Sequence, residues 1–207
     1  MEKERVIEEI QLYVQPFFTD DTTGHDYEHM KRVARWSHQL AAAEGADVFT
    51  AEAAGWLHDI GDKKLFENPK EALESMYSFL ESLPIESETI ENIRLAVKDV
   101  SFSKGDVPQT LEGKIVQDAD RLDAIGAIGM ARTFAFGGAK GQLLYGEGPT
   151  SIQHFYDKLL RLASGMHTNT AKKEADKRHQ FMLNYLEQFF REWNIDNTEG
   201  TDVSNEK

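Results

Sequence analysis

Four residues at three places in this chain have the right types for chemistry: His29, the adjacent pair His58 and Asp59, and Asp120. The stretch GWLHDIGDKK, from Gly55 to Lys64, poses the problem most sharply. Ala51, Ala54 and Leu57 form an apolar helical face, and that helix ends in an imidazole and a carboxylate side by side. Buried charges are costly unless they are paired or bound to metal. His29 shares a stripe with Val33, Trp36 and Leu40, so it points inward, and His25 lies one turn earlier. In QDADRLDAIGAIG, the acids Asp118, Asp120 and Asp123 flank the apolar stripe of Ile115, Ala119 and Leu122. Asp120 and Asp123 are three apart and share a face, while Arg121 points elsewhere. Acids buried together repel one another unless a cation lies between them. Neutral imidazoles with carboxylates suit a divalent metal, and ligands drawn from several helices are how helical folds build metal sites in their cores. An open coordination position then acidifies a water into a nucleophile near neutral pH. Spacing alone leaves two readings open, a metal site or a buried ion-pair network.

The elements that must position these residues read as helices. Apolar residues recur at helical spacing from Val6 to Phe17, His29 to Leu40, Leu73 to Leu83, Ile90 to Val100, Ile115 to Leu122, Ile152 to Leu162 and Met182 to Trp193. No period-two segment or internal repeat stands out. Breaks fall at Gly24, Gly45, Gly61, Pro69, Pro84, Gly105 and Pro108. The expectation is one all-α domain of seven or eight helices over residues 1–194. The tail 195–207 has only Val203 and Ile195 as aliphatics and reads as disordered and acidic. Gly137 to Gly148 carries five of the 15 glycines and reads as a loop, either a lid or a plain connection. Thr168 or Asn169 is expected to cap the last helix.

Composition narrows the function classes. Against 23 Lys and Arg stand 36 Asp and Glu, a net charge of -13, of which the tail supplies only a small part. An acidic body repels polyphosphate backbones, which argues against nucleic-acid binding but not against a small phosphorylated substrate held by a metal. With no cysteine, thiolate ligands, disulfides and a Cys nucleophile are excluded. The charged start MEKERVIEEI is no signal peptide, and no run of about 20 apolar residues spans a membrane. A cytoplasmic location is the default expectation.

HDYEHMKRV, LHDIGD and DADRLDAIG, in that order, resemble the successive motifs of the HD superfamily of metal-dependent phosphohydrolases. The likeness spans roughly Gly24 to Arg132, and the C-terminal helices resemble those of small stand-alone bacterial members. It implies His29, His58, Asp59 and Asp120 as metal ligands, with Asp120 preferred to Asp123 because the family's ligand directly precedes Arg. It implies one divalent ion, manganese first, with Mg, Co, Ni or Fe as alternatives. It also implies a role for Asp62 in positioning or deprotonating the attacking water, although related enzymes usually carry Glu there. No histidine lies between Asp59 and Asp120, unlike the larger cyclic-nucleotide members, so a second, His-rich metal site is not expected.

Phosphates need cationic partners. Arg32 and Lys63 are the first candidates for the substrate, ahead of Lys98, Lys104 and Arg121. The resemblance implies hydrolysis of a (deoxy)nucleoside triphosphate with release of pyrophosphate or phosphate through a metal-bound water. Alternatives are a nucleoside monophosphate phosphatase and a metal- and nucleotide-binding sensor without turnover. The expected partner is a small nucleotide, with no nucleic acid and no membrane; a homodimer is left open.

Overall fold

The computed structural model describes residues 2–19, 26–98, 100 and 107–194. His25, Lys104, the breaks at Gly24 and Gly105, and the tail lie outside them. The fold is all-α, as the periodicity predicts. The helices are α1 (Glu2–Phe18), α2 (Tyr27–Glu44), α3 (Val48–Leu57), α4 (Pro69–Ser82), α5 (Ser87–Lys98), α6 (Leu111–Asp123) and α7 (Gly126–Ala139). Then follow α8 over residues 151–165 and α9 (Asn169–Trp193). Helix α8 is composite: α-helical at Ser151–His154, π-helical at Phe155–Leu159, α-helical again at Leu160–Leu162 and 3-10 at Ala163–Gly165. Nine helices among the described residues replace the expected seven or eight. The addition is α7, whose GAIGMARTFAFGGA sequence has no sharp apolar stripe and four glycines.

Two apolar clusters form the core. The first gathers Val6, Ile10 and Val14 of α1 with Trp56 and Leu57 of α3, Met76 and Leu80 of α4, and Ile93 of α5. The second gathers Ile115 and Leu122 of α6 with Ile152, Phe155 and Leu159 of α8 and Met182 and Leu186 of α9. Helix α2 lies between them, giving Met30 and Ala34 to the first and Val33 and Leu40 to the second. Helices α3 and α6 also contribute to both clusters, through Ala51 and Val116 respectively. Each fully buried Leu, Ile or Met contributes roughly 1.5–3 kcal/mol by leaving water, so burial on both sides stabilises the packing of α2, α3 and α6 at the seam.

Local chemistry sets the ends of these three helices. Asp26 caps α2 by accepting from the His29 amide at 2.7 Å, which fixes His29 on the first turn. Asp47 caps α3 through the Thr50 amide at 2.6 Å, and Thr110 caps α6 through the Gly113 amide at 3.0 Å. Helices α2 and α3 cross closely because Gly55 has no side chain; a Cβ there would stand 2.8 Å from Ala34 Cα. Thr168 caps α9.

The glycine-rich connection is shorter than expected, because α7 runs on through Gly137 and Gly138 to Ala139. The remainder is tied back by backbone bonds from Ser151 to Leu143 O (3.1 Å) and from Ile152 to Leu144 O (3.0 Å). No helix among the described residues is long and apolar enough to cross a membrane.

Candidate metal centre and its adjoining cavity

The seam brings α2, the end of α3 and α6 to one point. His29 Nε2 lies 3.6 Å from Asp59 Oδ2 and 3.6 Å from Asp120 Oδ1. His58 Nε2 lies 3.4 Å from Asp59 Oδ1 and 3.9 Å from Asp120 Oδ1. One ligand atom each from His29, His58 and Asp120 falls within a span of 4.8 Å, so this cluster can hold a metal ion. Ligand atoms bound at about 2.1 Å and separated by 90–109° stand about 3.0–3.5 Å apart, close to these spacings.

Both imidazoles are oriented from behind. His58 Nδ1 donates to Gly55 O at 2.8 Å. A carbonyl only accepts, so Nδ1 carries the hydrogen and Nε2 turns its lone pair inward. That Nε2 is buried without a hydrogen-bond partner, a costly state for a polar atom unless a cation occupies the point it faces. His29 Nδ1 donates to Asp123 Oδ2 at 2.7 Å, which aims Nε2 at Asp59 and Asp120.

Asp123 is the buried anchor of this outer layer. Arg32 grips it with Nε to Oδ1 at 2.6 Å and a second nitrogen to Oδ2 at 3.1 Å. Arg132 adds a bond to Oδ2 at 2.6 Å. Burial by itself would raise the Asp123 pKa, but the bonds from His29 and Arg32 and the neighbouring positive charges hold it well below the usual carboxylate range. Burial by itself would lower the His29 pKa, but Asp123 and Asp59 outweigh it and raise the pKa to about 9. The surrounding acids favour a positive charge at this point, and a proton or a metal ion meets the same demand.

The three acids of α6 do not act together. Asp118 faces α9, accepting from the His167 amide, the Thr168 amide and Thr168 Oγ1, each at 2.8 Å. It fastens the start of α9 and does not add to the repulsion among the other acids. Arg121 does point away, as expected, to Gly165 O and His167 Nε2. Arg32, a candidate for substrate phosphates, grips Asp123, whose buried carboxylate its guanidinium fork matches. Lys63 is exposed on the turn after α3. Asp62 is half-buried on the same turn, where its Oδ1 accepts from the Lys64 amide at 2.8 Å.

Beside the centre lies a cavity of about 290 Å³ between α7 and α8, lined among others by Arg132, Phe136, Gln153, His154 and Lys158. Arg132 bridges cavity and metal centre through Asp123. The Lys158 pKa is lowered by burial, while the nearby Asp120 carboxylate opposes that shift. Neither cation was singled out from sequence. Arg132 did leave a signal, as the one charged residue in the fourteen of α7. Lys158 left none, since a π-helical turn is invisible in apolar spacing.

The family model for the HD domain matches residues 26–125. The chain is 40% identical over 192 residues to YpgQ of Bacillus subtilis (strain 168), a match covering 91% of this chain and 94% of that protein. The crystal structure of B. subtilis YpgQ in complex with ADP superposes with a TM-score of 0.81 at 38% identity, covering 93% of this chain and 97% of that one. An HD-superfamily hydrolase from Bacillus thuringiensis superposes with a TM-score of 0.79 at 41% identity, covering 93% and 98%.

Proposed function

The chain belongs to the HD superfamily of hydrolases, and on that premise we propose that it is a metal-dependent phosphohydrolase acting on nucleotides. The observation that carries this reading is the cluster of His29, His58 and Asp120, with Asp59 at 3.6 and 3.4 Å from the two imidazoles, beside a cavity lined by Arg132 and Lys158. The ADP complex of YpgQ, a relative similar over nearly the whole chain, supports a nucleotide as the ligand.

The substrate of this reading is a (deoxy)nucleoside triphosphate, cleaved with release of pyrophosphate or phosphate. A divalent ion held by the four residues, manganese in the first instance, would supply an acidified water and neutralise charge on a phosphate oxygen. Asp123 and Gly55 O keep both Nδ1 atoms protonated, so each Nε2 stays available as a donor to the ion. Asp62 accepts the proton as the water oxygen bonds to phosphorus and the bridging P–O bond breaks. Arg132 and Lys158 draw the phosphate oxygens to the inner end of the cavity, and the leaving group departs with the bridging oxygen and its electron pair.

The test is a panel of nucleoside mono-, di- and triphosphates incubated with Mn, Mg, Co, Ni or Fe, with products identified by phosphorus NMR. The expected result is turnover of triphosphates with Mn. Absence of turnover with every nucleotide and metal would overturn the hydrolase reading.

A further inference from the structure

The cavity has more order than phosphate binding requires. Helices α7 and α8 form its walls, and the end of α7 meets the start of α8, where a Cβ at Gly137 would collide with Ser151 Oγ. On each wall a cation stands at the metal end and a flat ring lies one turn further out. Arg132 is followed on α7 by Phe136, and Lys158 is preceded on α8 by His154, all four lining the cavity. On α7 the α-helical turn from Arg132 to Phe136 advances about 5.4 Å, comparable to the reach of a sugar between a phosphate and a base. Phe136 is 42% exposed, a large ring left uncovered on a cavity wall. Lys140 Nζ lies 5.8 Å from its centroid, an exposed cation that an arriving base can displace. The π-helical turn at Phe155–Leu159 contains Lys158 and directly follows His154, and π turns concentrate at functional sites.

Resting on the nucleotide reading above, we propose that Phe136 and His154 form the subsite for the nucleobase, with Arg132 and Lys158 at the phosphate end. Stacking tolerates any base, so the subsite takes nucleotides as a class. Gln153 is held by its Nε2 bond to Asp157 Oδ1 at 2.9 Å, which turns its carbonyl oxygen into a fixed acceptor on the rim.

The experiment is calorimetric titration of the manganese-loaded protein with ADP and with inorganic pyrophosphate, which shares the phosphates and lacks the nucleoside. Wild type is expected to bind ADP more tightly. Phe136→Ala is expected to weaken ADP about tenfold, equivalent to about 1.4 kcal/mol, and to leave pyrophosphate unchanged. His154→Ala should act in the same direction, and Phe136→Trp should retain ADP. Because both rings are exposed, melting curves of the variants should match wild type. Equal weakening of both ligands, an unchanged ADP affinity in both Ala variants, or a wild type that does not prefer ADP would overturn the subsite. Binding is read without turnover, so a protein that holds ADP through Phe136 yet hydrolyses no nucleotide would sink the hydrolase reading and leave the subsite standing.

Discussion

Replacing Asp123 by alanine separates the residues that hold a metal from the residue that orients them. The carboxylate accepts from Arg32 at 2.6 and 3.1 Å, from Arg132 at 2.6 Å and from His29 at 2.7 Å. Removing one partner of a fully buried ion pair costs about 3–5 kcal/mol. Here the arginine side chains keep 30% and 19% of their exposure, so water recovers part of that loss. The expected destabilisation of Asp123→Ala is about 2–4 kcal/mol, and at about 2–4 °C per kcal/mol the melting temperature should fall by about 4–16 °C. His29 loses its orienting partner but keeps its ring, so manganese should bind about 10–100-fold more weakly without being lost. Asp59→Ala and Asp120→Ala remove carboxylates that face the imidazoles, and metal content should collapse in both. The assay is elemental analysis of purified variants together with melting curves across a manganese titration. Loss of the metal in Asp123→Ala with its retention in Asp120→Ala would refute the assignment.

Other perturbations test other parts of the arrangement. Chelator should lower the wild-type melting temperature and manganese should restore it; saturation at a hundredfold over Kd is worth about 2.7 kcal/mol, and identical curves would count against the centre. Asp62→Asn should keep metal content and ADP affinity while turnover falls by about 10²-fold or more; normal turnover would remove Asp62 from the mechanism. Asp118→Ala leaves two buried donors of Thr168 without an acceptor and should cost about 2–4 kcal/mol with metal content intact; a parallel loss of metal would show that Asp118 serves the centre after all. Arg132→Ala should weaken pyrophosphate more than it weakens manganese, as read by the same titrations, and the opposite order would confine Arg132 to the support of Asp123.

Much of this architecture was legible because it is written in periodicity. The stripes of α2 and α6 put His29 and Asp120 on inward faces, and the apolar run of α3 put His58 and Asp59 at a buried helix end. The distinction between Asp118 and Asp120 was not legible. Two residues on one helix point about 200° apart, and only the docking of α9 decides which meets a cation and which meets backbone amides. The pairing of Arg32 with Asp123 was not legible for a related reason: Asp123 is brought by α6, and sequence spacing within α2 carries no information about α6. Helix α7 escaped notice because its glycines weaken helix propensity, and its packing against α9 and α8 compensates only in the folded chain.

The two arginines on Asp123 have unequal duties, and that inequality ties the metal centre to the cavity. One carboxylate needs one guanidinium to balance its charge, and Arg32, gripping both oxygens from α2, already supplies it. Arg132 reaches the same Oδ2 from the cavity wall and also stands 3.2 Å from His29 Nδ1. Both of those nitrogens are donors, so that second contact adds no bond and is held in place by the oxygen they share. Arg132 is therefore the more weakly committed of the two. A phosphate entering between α7 and α8 can draw on it while Arg32 keeps Asp123 charged and Asp123 keeps His29 aimed. The design lets an anion engage a cation of the outer layer without disturbing the ligands that the layer supports.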